Sequence, residues 1–134
     1  MAVASSESLP LASEQDIVLA RRAVRQAAQQ IGLSLVDQTK IVTAASELAR
    51  NAVVHGYGGA LEWQIITDNG KQGLQLTVTD QGPGIEDLTL AMKDGWTTGS
   101  GLGIGLPGAK RLVNEFKIRS KPGVGTTVIA IRWK

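Results

Sequence analysis

The sequence predicts an α/β two-layer sandwich, a mixed but mainly antiparallel sheet with helices on one face. Three observations carry this. Two amphipathic helical stretches with serine caps occupy residues 13–56, and four strand-like stretches with turn chemistry occupy residues 61–80 and 116–133. Between them lies a glycine-rich tract that propensity disfavours as either helix or strand. The length, 134 residues, suits one domain spanning 1–134.

Residues 1–12 hold little signal beyond Ser8–Leu11, read as a short edge strand because of Pro10. Ser13-x-x-Asp16 resembles a capping box with Asp in the Glu/Gln position. Ile17, Ala20, Val24, Ala27, Ala28 and Ile31 follow at helical spacing, and Gly32 supplies the stop. The opposite face carries Arg21, Arg22 and Arg25, which reads either as a solvated face or as a dock for an acidic partner. Ser34-x-x-Asp37 opens a second helix with Ile41, Ala44, Ala45, Leu48 and Ala52 on one stripe, ending at Gly56 in a flexible exit, Gly56-Tyr57-Gly58-Gly59.

Within that helix Glu47 and Asn51 are four apart and stack on one face, with His55 continuing the line. A Glu beside an apolar stripe needs a partner or a ligand. The pair suits a base held one turn from a metal position; taken alone it also fits a helix with a polar outer edge. His55 reads as structural.

Leu61, Trp63 and Ile65 alternate with polar residues up to the turn Asp68-Asn69-Gly70-Lys71, and Leu74, Leu76 and Val78 alternate beyond it. This second strand runs into Asp80-Gln81-Gly82-Pro83-Gly84-Ile85, an acidic residue at a strand end followed by glycines that permit close approach to the backbone. A short helix is expected near Leu88–Met92. In Gly99–Gly105 glycine occupies every second position, leaving backbone amides free to meet an anion. Pro107 suits the first turn of a following helix, with Ala109, Leu112 and Val113 inward. Lys110 and Arg111 are read near its start, where they oppose the dipole unless a phosphate sits there. Strands at Phe116–Ser120 and Thr126–Trp133, joined by Lys121–Gly125, close the chain.

Composition excludes several classes. Fourteen basic residues against twelve acidic, net +2, make no nucleic-acid surface despite a pI near 9.2. The absence of cysteine removes disulfides and thiolate metal sites. No apolar run approaches the roughly 20 residues that span a bilayer, and the first residues lack signal-peptide character, so a cytoplasmic location is expected. Gly103-x-Gly105-x-x-Gly108 matches a dinucleotide fingerprint literally, but no strand precedes it and no acid follows about 20 positions on. A Walker loop fails because Ala109, not lysine, follows Gly108.

The ordered set Glu47-x-x-x-Asn51, Asp80-x-Gly82-x-Gly84-Ile85, Gly101-x-Gly103-x-Gly105-Leu106 and Gly125-Thr126-Thr127 resembles the ATP-binding domain shared by gyrase, Hsp90, histidine kinases and MutL (GHKL), the Bergerat-type fold. The phrases SELARNAVVHG, DQGPGI, DGWTTGSGLGIGLPGAKRL and GVGTT extend the likeness over nearly the whole chain. Within that family it is similar to small bacterial switch-protein serine/threonine kinases of the RsbT type, with RsbW- and SpoIIAB-type anti-sigma kinases as near cousins.

The resemblance implies Glu47 as general base and Asn51 as the ligand of a Mg²⁺ bridging the phosphates of ATP. It implies Asp80 as acceptor for the adenine amino group, with Gly82, Gly84 and Ile85 shaping the pocket and Thr127 near the base. Residues 93–105 become a lid, with Gly101, Leu102, Gly103, Ile104 and Gly105 at the triphosphate and Lys110 as a further phosphate contact. No phosphoacceptor hairpin or transducer domain is recognised, so the resemblance implies an enzyme acting on other proteins. Its substrates would be STAS-domain proteins of a stressosome, its released form would activate a PP2C-type phosphatase, and neither nucleic acid nor membrane would be a partner. The alternative it leaves is an anti-sigma factor kinase that sequesters a sigma factor.

Overall fold

The computed structural model describes residues 1–84, 92 and 105–134. In chain order these form β1 (Ala2–Leu11), α1 (Glu14–Gln30), α2 (Leu35–Val54), β2 (Gly59–Asp68), β3 (Lys71–Asp80), α3 (Gly105–Arg111), β4 (Glu115–Lys121) and β5 (Gly125–Trp133). The strands build one five-stranded sheet in the order β1-β2-β3-β5-β4. Helices lie against one face of it, so the predicted two layers are present.

Every strand pair is antiparallel, not mixed. The reason is topological. β3 and β4 run in the same direction, but the hairpin partner β5 inserts between them, so among the described residues no parallel pair is hydrogen-bonded. β1 is also longer than the predicted Ser8–Leu11. Its Ser-rich first half has no apolar alternation, yet it pairs from Ala2↔Thr67 to Leu11↔Gly59, with an irregularity between Val3 and Ser5. An edge strand exposed along most of its length needs no hydrophobic pattern of its own when its neighbour supplies one.

The two helix starts differ in mechanism. At α2 the Ser34 side chain accepts a hydrogen bond from the Asp37 N–H at 3.1 Å. At α1 Ser13 makes no side-chain cap; instead Asp16 accepts from the N–H of Ala12, the residue before the cap, at 2.8 Å, so the start is tied down without the capping box that the sequence resembles. Ser34→Ala is therefore expected to destabilise the protein by about 1 kcal/mol in denaturant unfolding, whereas Ser13→Ala changes it by only a few tenths. Gly32 (φ 79°) closes α1, and Asn69 (φ 52°) with Gly70 (φ 77°) forms the two-residue hairpin turn that Asn-Gly predicts.

The core lies between helices and sheet. Ile17 and Val24 from α1 and Ile41 and Leu48 from α2 meet Leu61, Leu74, Leu76, Val78 and Val128 from the sheet. Each such side chain contributes about 2 kcal/mol through burial. Arg132 pins this packing at its edge: on the helix-facing side of β5, it reaches Asp37 at the start of α2 at 2.7 Å. On the outer face Ile66 and Ile131 are also buried, outside the main core. There the Trp133 ring lies over Gly73, where a Cβ would come within 2.6 Å of it, and its indole N–H is donated to Glu115.

Candidate functional site

Glu47 and Asn51 occupy the C-terminal half of α2, both half-buried. Flanking Leu48, Ala49 and Ala52 are buried, so the two polar side chains lie along the margin of the apolar stripe. Among the described residues neither side chain has a hydrogen-bond or ion-pair partner. Two polar groups one turn apart, partly desolvated and uncommitted, leave capacity for a ligand. His55 is the C-cap of α2 and is half-buried.

The exit from this helix is not the flexible tail that its glycines predict. The Gly56 N–H reaches Asn51 and Ala52 carbonyls, the Gly58 N–H reaches the Ala52 carbonyl at 2.8 Å, and Tyr57 (φ 57°) and Gly58 (φ 96°) are both left-handed. Gly56 then packs directly on Asp80: a Cβ at Gly56 would lie 2.4 Å from the Asp80 Cγ and 2.7 Å from its Oδ2. A Cβ at Gly82 would lie 2.6 Å from the Gly56 Cα, and one at Gly125 2.2 Å from the Asp80 carbonyl oxygen. The end of α2, the turn after β3 and the start of β5 therefore meet at backbone contact, with the Asp80 carboxylate between them. Glycine is required here because any side chain would separate the three elements.

Asp80 is half-buried, and its Oδ1 accepts the Gly82 N–H at 3.0 Å. This bond holds the carboxylate in place. A carboxylate has roughly four lone-pair sites, so it retains acceptor capacity for a donor group of a ligand. Gly84 (φ 76°) does different work from Gly82. It approaches the Lys121 carbonyl, and the Gly123 N–H bonds to the Pro83 carbonyl at 2.8 Å, tying the turn after β3 to the β4–β5 turn.

The sheet register corrects one predicted residue. Asp80 is paired with Thr126, while Thr127 is opposite Thr79 and hence on the outer face, away from the helices. Thr126, not Thr127, shares the Asp80 face. Thr126 has the same parity along β5 as Val128 and Ala130, which are buried in the core.

α3 corrects a second expectation. It is only seven residues long, so Lys110 and Arg111 lie in its last turn, where they favour the helix dipole instead of opposing it. Lys110 is exposed. The inference of a phosphate from that placement is withdrawn. Gly105 (φ 68°) opens the helix, Pro107 lies in its first turn, and the helix packs beside α2. Ala109 is buried, with Leu112 and Val113 partly so, as predicted. Ile85, Gly101, Leu102, Gly103 and Ile104, Trp96 and most of the expected lid and of the short helix before it lie outside the described residues; Met92 packs on the core.

Arg21 and Arg22 are exposed on α1, and the Arg25 guanidinium donates to the side-chain Oε1 of Gln38 at 3.5 Å. Among the described residues no helix is long and apolar enough to cross a membrane.

Known proteins place this geometry. The model of the histidine kinase-like ATPase domain matches residues 10–133. The serine/threonine-protein kinase RsbT of Bacillus subtilis (strain 168) is 47% identical over 121 residues, covering 90% of this chain and 91% of that protein. An anti-sigma F factor of Halalkalibacterium halodurans is 34% identical over 122 residues, covering 87% and 84% respectively. The solved structure of the RsbU and RsbW domains of a Mycobacterium tuberculosis protein superposes with a TM-score of 0.67 at 22% identity, over 97% of this chain but 33% of that one. The mycobacterial sensor histidine kinase MprB matches with a TM-score of 0.56 at 17% identity, over 96% of this chain and 97% of its own. These two structures support the fold. The family match and the two close relatives support more: the chain belongs to the histidine kinase-like ATPase domain family, of the GHKL type.

Proposed function

We propose that this protein is an ATP- and Mg²⁺-dependent protein serine/threonine kinase of a partner-switching pathway. The observation that carries the reading is the junction of α2 with the turn after β3. Glu47 and Asn51, whose side chains have no partner among the described residues, lie on the helix whose end packs against a fixed carboxylate at Asp80. The 47% identity to a serine/threonine-protein kinase supports the reaction class.

In this reading Asp80 accepts from the adenine amino group, and the contacts through Gly56, Gly82 and Gly125 keep the pocket floor flat enough for a planar base. The amide oxygen of Asn51 would hold Mg²⁺, which when bound neutralises charge on the phosphate oxygens. Among the described residues no cluster of three carboxylates or histidines is placed to hold a metal, which fits an ion taking most of its ligands from phosphate and water. Glu47 takes the proton of the substrate hydroxyl as that oxygen forms its bond to the γ-phosphorus. The bond from the γ-phosphorus to the bridging oxygen breaks, and ADP leaves.

By the family likeness, the substrates are STAS-domain proteins and the released kinase binds and activates a PP2C-type phosphatase. A second reading is an anti-sigma factor kinase that sequesters a sigma factor. Its support is the 34% identity to an anti-sigma F factor, weaker than that to the kinase.

The test is transfer of label from γ-labelled ATP with Mg²⁺ to purified STAS-domain candidates. Acid-stable label on serine or threonine is the expected result. ATP binding without transfer, together with a stable complex with a sigma factor, would replace the first reading with the second.

A further inference from the structure

Arg21, Arg22 and Arg25 share one face of α1, because residues three and four apart are neighbours on a helix. Val18 continues that face one turn earlier and is 46% exposed. With Val42 of α2, which is buried, these side chains line a shallow cavity of about 170 Å³ where α1 packs on α2. Its floor is apolar and its rim carries three guanidinium groups. The nearby carboxylates are engaged elsewhere: Glu14 with Arg50, Asp16 with the Ala12 N–H and Asp37 with Arg132. α1 has no acidic residue after Asp16. Among the described residues no carboxylate pairs with Arg21, Arg22 or Arg25, and the side chain that Arg25 meets, Gln38, is uncharged. Like charges four apart oppose helix formation. The helix dipole does not offset this, because it favours cations in the last turn and the last turn of α1 holds none. The folded chain thus concentrates positive charge around an apolar floor and neutralises it with none of its own described carboxylates.

We propose that this groove docks an acidic amphipathic helix of a partner protein, with one aliphatic side chain entering between Val18 and Val42 and carboxylates at helical spacing pairing with the arginines. The cavity is well below the roughly 300–1,000 Å³ of small-molecule sites, so it suits one side chain of a larger partner. Arg21 and Arg25 are four residues apart, about 6 Å along the helix axis, and two carboxylates four apart on a facing helix repeat that interval. Arginine fits the task because its planar fork binds a carboxylate through two N–H groups. A groove between two packed helices accepts a third by the same ridge-into-groove packing. The apolar contact supplies affinity, while the charges select an acidic partner and speed the encounter. The groove is independent of the ATP reading. Val42 precedes Glu47 by five residues, which turns it about 140° around α2, so the groove and the Glu47–Asn51 pair open on different sides of that helix.

The test measures fluorescence anisotropy of a labelled helical peptide of about 15 residues titrated with the full chain. The peptide carries two glutamates four apart and a leucine three residues further on, in an alanine- and glutamine-based helix. Saturable binding is expected with a dissociation constant on the order of 10⁻⁴ M, weakening several-fold as salt rises from about 0.05 to 0.5 M. The double variant Arg21→Glu with Arg25→Glu is expected to bind at least tenfold more weakly, and to gain about as much affinity for a companion peptide with lysines in place of the glutamates. Replacing the peptide leucine by alanine costs about five- to tenfold. Arg21→Glu with Arg22→Glu, both at exposed positions, makes the same comparison should the first variant not fold. No saturable binding at about 1 mM peptide overturns the proposal, as does an affinity within twofold of the original in the charge-reversed chain or for a peptide with glutamine in place of glutamate. Arginine-dependent binding to phosphatidylserine vesicles without peptide binding also overturns it, and assigns the face to an anionic membrane surface.

Discussion

Glu47→Gln is expected to lower phosphoryl transfer by about 10²–10⁴-fold, the usual contribution of a general base, with ATP affinity within about threefold of the original. The substitution keeps the size of the side chain and its place on α2, so the core formed by Leu48, Ala49 and Ala52 is not disturbed. It removes only the capacity to take a proton. Label transfer at saturating ATP gives the rate, and calorimetry gives the affinity. An unchanged rate would remove Glu47 from the base role. A parallel fall in affinity would instead make it part of nucleotide binding.

Gly82→Ala is expected to weaken ATP binding by at least tenfold and to destabilise the fold by about 1–3 kcal/mol, the range for forcing extra volume into a packed site. The added methyl would lie 2.6 Å from the Gly56 Cα and 2.7 Å from its carbonyl carbon and oxygen. These are backbone atoms at the end of a twenty-residue helix, with no flexible side chain to yield. The strain is relieved by moving α2 away from the turn after β3, which separates Glu47 and Asn51 from Asp80. Gly70→Ala is the control. Nothing lies within 4 Å of a Cβ there, and its left-handed φ of 77° at the opposite end of the hairpin limits the effect to stability. It is expected to lose about 1 kcal/mol, read from thermal unfolding, with ATP binding intact. Normal ATP affinity in Gly82→Ala would show that the junction does not set the site.

Local signals made much of this legible. The helical spacing of Ile17 to Ile31 and of Ile41 to Ala52, the alternation of Leu74, Leu76 and Val78, and the Asn69-Gly70 turn each depend on near neighbours, so one sequence suffices to read them. So does the Ser34 cap. What local signals do not carry is partnership. The polar half of β1 is specified by its partner β2, so the sequence shows only Ser8–Leu11 of that strand. The short α3 carries few boundary signals, so its sequence does not show that Lys110 lies in the last turn. The glycines after α2 permit freedom without revealing that Asp80 packs against Gly56.

The sequence by itself determined α1, α2 and the β2–β3 hairpin with their inward faces, and the order of Glu47, Asn51, Asp80 and the glycines, since these follow from periodicity and residue chemistry along one segment. Only the tertiary structure decided which of these groups meet. The insertion of β5 between β3 and β4 set the register that pairs Asp80 with Thr126 and leaves Thr127 on the far face. Backbone contact through Gly56, Gly82 and Gly125 then brought α2, β3 and β5 together at the carboxylate. Such contacts join residues tens of positions apart, and they are settled by packing that no local pattern encodes.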